Sequence, residues 1–351
     1  MTARGAARLK TIYRDRQEQR QDDSLSKGTS DVSVTTSAPA TTPVRTAAPG
    51  RRRGSLRQRA RKEGWGTAYL LLGPAMLLLA VWFVYPIVQS FLLSFQHVAE
   101  FNFDQRANVG TANYRKLVHD TAFLHSLRVT LIFVVLVVPL QTVGAILVAA
   151  VVQTATVAKT FFRTAFFLPY MISTVAVTTV FMRLFSQGGP LANAAAHIGV
   201  PNTTWYADVH LALPFLVIVY VYTFIGLYIV TFLGGIEGIP PELYEAARVD
   251  GAGAVRRFVS ITVPMLRPYT IFVLVAGLIQ AVQIFDQAYV VSGGTVLGSP
   301  AGATSTLVVF IYQQAFRLND LGYAAAAAVV LLAIVLIGTV ATRKLLPEER
   351  A

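Results

Sequence analysis

The sequence predicts an all-α membrane protein: a six-transmembrane-helix bundle with both termini inside and a disordered N-terminal tail. Three observations predict it. Of the 351 residues, 14% are charged and 54% hydrophobic, against roughly a quarter charged in a soluble domain. Six uncharged, mostly apolar windows approach the roughly 20 residues that cross a bilayer as a helix. The basic residues fall unequally on the two sides of those windows, which sets an orientation.

Residues 1–66 come first, with 15 of the 30 Lys/Arg and 6 of the 18 Asp/Glu, a net +9. Arginines there alternate with Gln and Asp, and Ser, Thr, Ala and Pro fill Gly28 to Gly50. Such a stretch has too little apolar surface to offset the entropy of ordering it. No apolar run follows the start methionine, so it does not read as a secretory signal. Nucleic-acid binding is one reading of a basic tail. The plainer reading is a cytoplasmic tail with no nucleic-acid partner, ending in a topology signal. Arg51, Arg52, Arg53, Arg57, Arg59, Arg61 and Lys62 directly precede the first apolar run. Near an anionic leaflet each is worth about 1 kcal/mol.

The spanning domain is residues 67–346, followed by a short tail, 347–351. Its windows are Tyr69–Phe95, Val129–Val152, Thr164–Met182, Val209–Ile236, Pro268–Phe285 and Leu321–Thr342, each bounded by a charged residue. With the N-terminus inside, 24 basic residues lie in cytoplasmic segments. The 6 on the outer side are Arg106, Arg115, Lys116, Arg128, Arg183 and Arg317. That asymmetry predicts N-in, C-in, as an even number of spans requires. Gln96–Phe123 and Ser186–Asp208 read as external loops. Thr306–Phe316 is too short and, at Gln313 and Gln314, too polar to span, so it is expected at the interface or leading into the sixth helix.

The segment 237–267 is the polar gap between the fourth and fifth windows. Pro240 and Pro241 suit a first helical turn, where a missing N–H costs nothing. Glu242 and Glu245 then lie toward the positive end of the helix dipole. Gly251 offers an exit with φ > 0. A second helix is expected over Ala252–Ile261, with Pro264 and Pro268 ending it and restarting the chain into the membrane.

The run EAARVDGAGAVRRFVSITVPMLRP resembles the EAA loop of carbohydrate-type ABC importer permeases. Glu245, Ala246, Ala247, Asp250, Gly251, Ala252, Phe258, Ile261, Pro264 and Pro268 agree with it in spacing. The Leu168-Pro169 pair is similar to the kink of these permeases, and Gly189…Asn193 to their external G-x-x-N turn, with one extra residue here. Phe285-Asp286-Gln287-Ala288-Tyr289 with Gly293-Gly294 is similar to a further segment, although Ser292 and Thr295 depart from it. The resemblance extends from about Gly66 to Leu346. It implies the type I importer fold in the cytoplasmic (inner) membrane. Glu245, Ala246, Ala247, Asp250 and Gly251 would then be the ATPase-coupling residues. Implied partners are a second permease subunit, two ATPase subunits at the cytoplasmic face, an extracytoplasmic solute-binding protein and the lipid bilayer. The chain contains no GxxxxGK[ST] sequence, so no cofactor is expected on it. ATP and Mg would be bound by the ATPase partners, and the chain is not expected to be an enzyme.

Intramembrane polar residues mark candidate contacts with the transported solute. In the fifth window Gln280, Gln283 and Gln287 fall at i, i+3 and i+7, one face of a continuous helix. In the fourth, Tyr220 and Phe224 are one turn apart. In the third, Tyr170 and Ser173 follow the Pro169 kink. Amides and hydroxyls bind sugar hydroxyls, and aromatic rings cover sugar C–H faces. The resemblance implies that spans three to five line the pathway. Hydrogen bonding between helices is the other reading of each residue. Spans three to five contain no Lys or Arg, which disfavours an anionic solute. A stand-alone secondary transporter or channel for a small polar solute is the alternative, but no window carries an acid or base at its centre to couple an ion. With no cysteine and no HExxH pairing, a metal site is not expected either.

Overall fold

The computed structural model describes residues 65–98, 106–154, 159–293 and 297–345. Nearly all of the 1–66 tail, the 347–351 tail, Gly294 and Thr295 lie outside the described residues. The described chain is helical apart from one short antiparallel ribbon and its connections.

Helix α1 (Trp65–Leu79) and α2 (Tyr85–Leu93) join through a π turn at Ala80–Val84. The Tyr85 N–H reaches back five residues to the Ala80 carbonyl. Pro86 explains the widened turn, because it has no N–H and its ring crowds the preceding carbonyl. Every side chain from Tyr69 to Leu92 is exposed, as an outer helix facing lipid should be. Ribbon strands β1 (Gln96–His97) and β2 (Ala107–Asn108) follow, then α3 (Ala112–His119). The expected loop over Gln96–Phe123 therefore contains a helix. Buried Asn113 fixes it by donating to the Ser94 and Gln96 carbonyls at 2.9 and 3.0 Å.

Helix α4 (Thr121–Gln153) starts eight residues before the second window, because Arg128 interrupts the apolar run and not the helix. Asp120 caps it, accepting from the Ala122 and Phe123 amides. At 33 residues it is about 50 Å long, more than a bilayer core. The third window is bent more sharply than a proline kink. Helices α5 (Lys159–Met171) and α6 (Thr174–Leu184) meet at 97°. The break lies at Ile172-Ser173, just beyond Pro169. A short α7 (Pro190–Ala196) precedes α8 (Ala212–Glu237), the most buried helix. Helix α8 packs on α4 through Phe133, Val137, Phe215 and Val219, and on α5 where Gly226 meets the Phe166 carbonyl.

The fifth window ends in a break within a longer candidate span, Arg267–Val291. Helix α12 (Arg267–Val282) ends before Gln283, and α13 (Asp286–Val291) restarts after Phe285. The free carbonyl of Ile284 accepts the Thr306 hydroxyl at 3.0 Å. Irregular backbone at this depth is tolerated only where protein groups satisfy it. More hydroxyls hold the returning loop: Thr130 accepts the Leu307 amide at 2.8 Å, Ser126 pairs with Ser305, and Ser292 accepts the Gly298 amide. Helix α14 (Leu307–Tyr312) then packs inside the protein against α4 and α15 (Leu321–Leu345), with Leu307, Val309 and Phe310 buried. Of the two places expected for Thr306–Phe316, it takes the one leading into the sixth helix, as an element packed within the protein. Gln313 and Gln314 sit in the π turn that follows it.

Among the described residues, five helical segments are long and apolar enough to span a membrane, and the α5–α6 pair adds a sixth if it counts as one span.

Candidate functional site

Between α8 and α12 the chain forms α9 (Pro241–Val249), α10 (Ala254–Arg257), a π turn (Phe258–Thr262) and α11 (Val263–Met265). Pro240 is the N-cap and Pro241 opens α9, so the missing N–H groups fall where no partner is needed. Glu242 lies in the first turn and Arg248 in the last, each favoured by the dipole at its end. Glu245 sits one turn further in, where the dipole contributes less than it does to Glu242.

The C-terminal end of α9 is a complete Schellman turn. The Ala252 amide donates to the Ala247 carbonyl at 2.8 Å, and the Gly251 amide to the Arg248 carbonyl at 3.0 Å. Gly251 stands at φ +75°, in the left-handed region. Asp250 is the C-cap residue. Pro264 does not end the second helix. The Val263 amide reaches back to Phe258, the π turn absorbs the proline, and the helix runs on to Met265. Leu266, fully buried, marks the break before α12.

This hairpin is bare on its outer surface. No residue of α9 is buried. Glu245, Ala246, Asp250 and Gly251 are exposed, and Ala247 is half-buried. Apolar groups share that surface: Val249 is 89% and Val255 77% exposed, with Leu243 and Val259 beside them. The hairpin is nevertheless fixed. The Tyr244 and Thr262 hydroxyls pair at 2.9 Å across it, and at its base Lys159 of α5 pairs with Glu237 of α8 at 2.7 Å.

The intramembrane candidates separate into two groups. Tyr170, Phe224 and Tyr220 come together with Phe133 as a run of rings linking α5, α8 and α4. Their centroid separations are 6.1, 4.5 and 5.2 Å. Tyr170 at the outer edge is partly open, whereas Tyr220 is buried with its hydroxyl unpaired among the described residues. Ser173 is exposed at the α5–α6 break. The three glutamines do not share a helical face, because the break at Gln283–Phe285 removes the continuous helix that spacing assumed. Gln280 remains on α12, where its Oε1 accepts the Tyr228 hydroxyl at 3.1 Å. Gln283 is exposed at the end of α12, and Gln287 is buried on α13. Asp286, an acid opening a helical turn, was the available sign of that restart. Sequence reasoning passed over Gln141, the one amide in the middle of its apolar window.

Comparison with known proteins adds the following. The family described as "Binding-protein-dependent transport system inner membrane component" matches residues 129–350. The arabinooligosaccharides transport system permease protein of Bacillus subtilis is 31% identical over 301 residues, covering 82% of this chain and 93% of its own. The lactose transport system permease protein of Rhizobium radiobacter is 32% identical, covering 81% and 93%. The sn-glycerol-3-phosphate transport system permease protein of Pectobacterium atrosepticum is 32% identical, covering 76% and 90%. Among solved structures, a chain of the bacterial alginate ABC transporter, in complex with its alginate pentasaccharide-bound periplasmic protein, superposes with a TM-score of 0.68. That chain is 20% identical, and the match covers 82% of this chain and 96% of its own.

Proposed function

The chain belongs to the family of binding-protein-dependent transport system inner membrane components, and from that membership we propose that it forms half of the pathway by which an ATP-driven importer moves a sugar or sugar-like solute inward. The observation that carries the mechanism is α9. It is a preformed helix with no buried residue, closed by a Schellman turn and tethered at Tyr244. A helix kept rigid in water between two spans is suited to seat in a groove of another subunit. Two ATPase subunits, one on this chain and one on a second permease subunit, would bind and hydrolyse ATP. Their closure would move α9, and the Lys159–Glu237 pair joins the bases of α5 and α8 beside it.

The orientation follows from charge: 24 of the 30 basic residues are inside if both termini and the 237–267 segment face the cytoplasm. Six spans result when α5 and α6 count as one broken span. A solute-binding protein would deliver from the opposite side. In this arrangement Tyr170, Ser173, Phe224, Gln280 and Gln283 face the solute. Tyr220 and Gln287, being buried, support the pathway from behind. Curated relatives named for arabinooligosaccharides, lactose and sn-glycerol-3-phosphate support the solute class. The absence of Lys and Arg from the apolar windows of spans three to five favours its neutral members.

Reconstituted complex with Glu245→Lys tests this. It should hydrolyse ATP without accumulating any of a panel of labelled neutral mono- and oligosaccharides that the parent complex accumulates. Equal accumulation by both would refute the role given to α9.

A further inference from the structure

Gln141 lies in the middle of α4 with 1% of its surface exposed, and neither its amide oxygen nor its amide nitrogen has a hydrogen-bond partner among the described residues. Buried amides are nearly always paired, because the interior offers no water to replace a lost bond. Two other polar side chains reach the same place. Tyr228 of α8, fully buried, donates its hydroxyl to Gln280 of α12. One turn before Gln280, Gly277 leaves an opening. A Cβ there would stand 3.5 Å from the Tyr228 hydroxyl and 4.0 Å from Gln141 Oε1. Three helices thus bring two glutamines and one tyrosine around a gap kept open by a glycine.

We propose that Gln141 is a positioning residue for Gln280: it is the second acceptor of the Tyr228 hydroxyl, which points to Gln280 in this conformation and to Gln141 in the other conformation of the transport cycle. The inference rests on the reading that places Gln280 in the solute pathway. A tyrosine hydroxyl has one proton and serves one acceptor at a time. Buried Gln141 has no partner among the described residues while the hydroxyl serves Gln280, whereas Gln280, only partly buried, can find another on the pathway side. A small sliding of α12 along α4 and α8 exchanges the two pairings, the kind of shear that packed helices allow. When the hydroxyl turns to Gln141, the Gln280 amide is released toward the pathway and a solute hydroxyl can take it. Binding of solute then draws the exchange forward. Gln141 itself touches no solute.

The test uses the intact complex in nanodiscs, spin-labelled at Thr154→Cys and Met265→Cys. Both positions are exposed, and the chain has no native cysteine. Distances are measured without nucleotide and with ATP plus vanadate. The parent should shift from one distribution to another. Gln141→Leu removes the second acceptor, so its distribution should stay where it began and ATP hydrolysis should fall at least tenfold. Adding Tyr228→Phe should restore the shift, because no pairing is then left to favour either state. A Gln141→Leu complex that shifts like the parent overturns the proposal. So does a double variant whose losses simply accumulate. Failure of both Gln141→Leu and Gln141→Met to assemble would make the amide a packing element and overturn it equally. Absence of ATPase subunits from the parent preparation is a separate result: it removes the functional reading, and this inference with it.

Discussion

Gly251→Val is expected to weaken docking of ATPase subunits on α9 by roughly five- to thirty-fold. The magnitude follows from the backbone and not from crowding. A Cβ at Gly251 would meet nothing within 4 Å, but the residue stands at φ +75°. Holding an ordinary L-residue in the left-handed region costs roughly 1–2 kcal/mol, and a β-branched one lies at the upper end. If the strain relaxes instead, the two Schellman bonds from Gly251 and Ala252 are lost. Either way the docking-competent end of α9 becomes a minor state. Apparent affinity falls by the fraction remaining, and about 1.4 kcal/mol corresponds to tenfold. Asn tolerates the left-handed region, so Gly251→Asn should stay within about threefold of the parent, with Gly251→Ala between the two. The assay is titration of purified ATPase subunits onto each variant in nanodiscs. An equal effect of Asn and Val, or no effect of Val, would refute the argument from backbone conformation.

Other outcomes follow from the same structure. Gly226→Ala should abolish accumulation of folded chain, since the added Cβ overlaps the Phe166 carbonyl. Gly234→Ala, with nothing within 4 Å, should accumulate normally and gain about 0.5–1 kcal/mol of helix stability. Fluorescence-detected size exclusion of detergent extracts separates the two. A cysteine at Ala254 should resist an impermeant thiol reagent in intact cells and react in inverted vesicles; labelling in intact cells would reverse the topology. Removing residues 1–50 should leave membrane abundance and ATP-driven uptake unchanged, because their composition cannot build a core. Uptake lost at normal abundance would give the tail a function.

The apolar helices were legible because each is a long apolar run between charges, and the exposed hairpin because Pro241 and Gly251 mark the two ends of one short helix. Interruptions inside the apolar runs were not legible in the same way. The break at Gln283–Phe285 depends on a hydroxyl 22 residues away, that of Thr306, which accepts no place in a local pattern. The 97° bend at Ile172-Ser173 was visible only as a proline a few residues upstream. The lead of α14 into the sixth helix was legible, but its packing within the protein was not, because its first turn is anchored by Thr130 and Thr306 from outside any local pattern. The candidate coupling residues depend on local turn chemistry and were found at their expected positions on the hairpin. The residues proposed to face the solute depend on which helices meet, so local spacing revealed neither the break between Gln280 and Gln287 nor the Tyr228–Gln280 bond.

The most direct measurement of the central claim is native mass spectrometry of the affinity-tagged chain purified from its own membranes in mild detergent. The expected result is one assembly containing this chain once, a second permease subunit once and two ATPase subunits, with Gly251→Val shedding ATPase subunits from it and Glu245→Lys retaining them. A chain recovered alone, or only with copies of itself, would contradict the account.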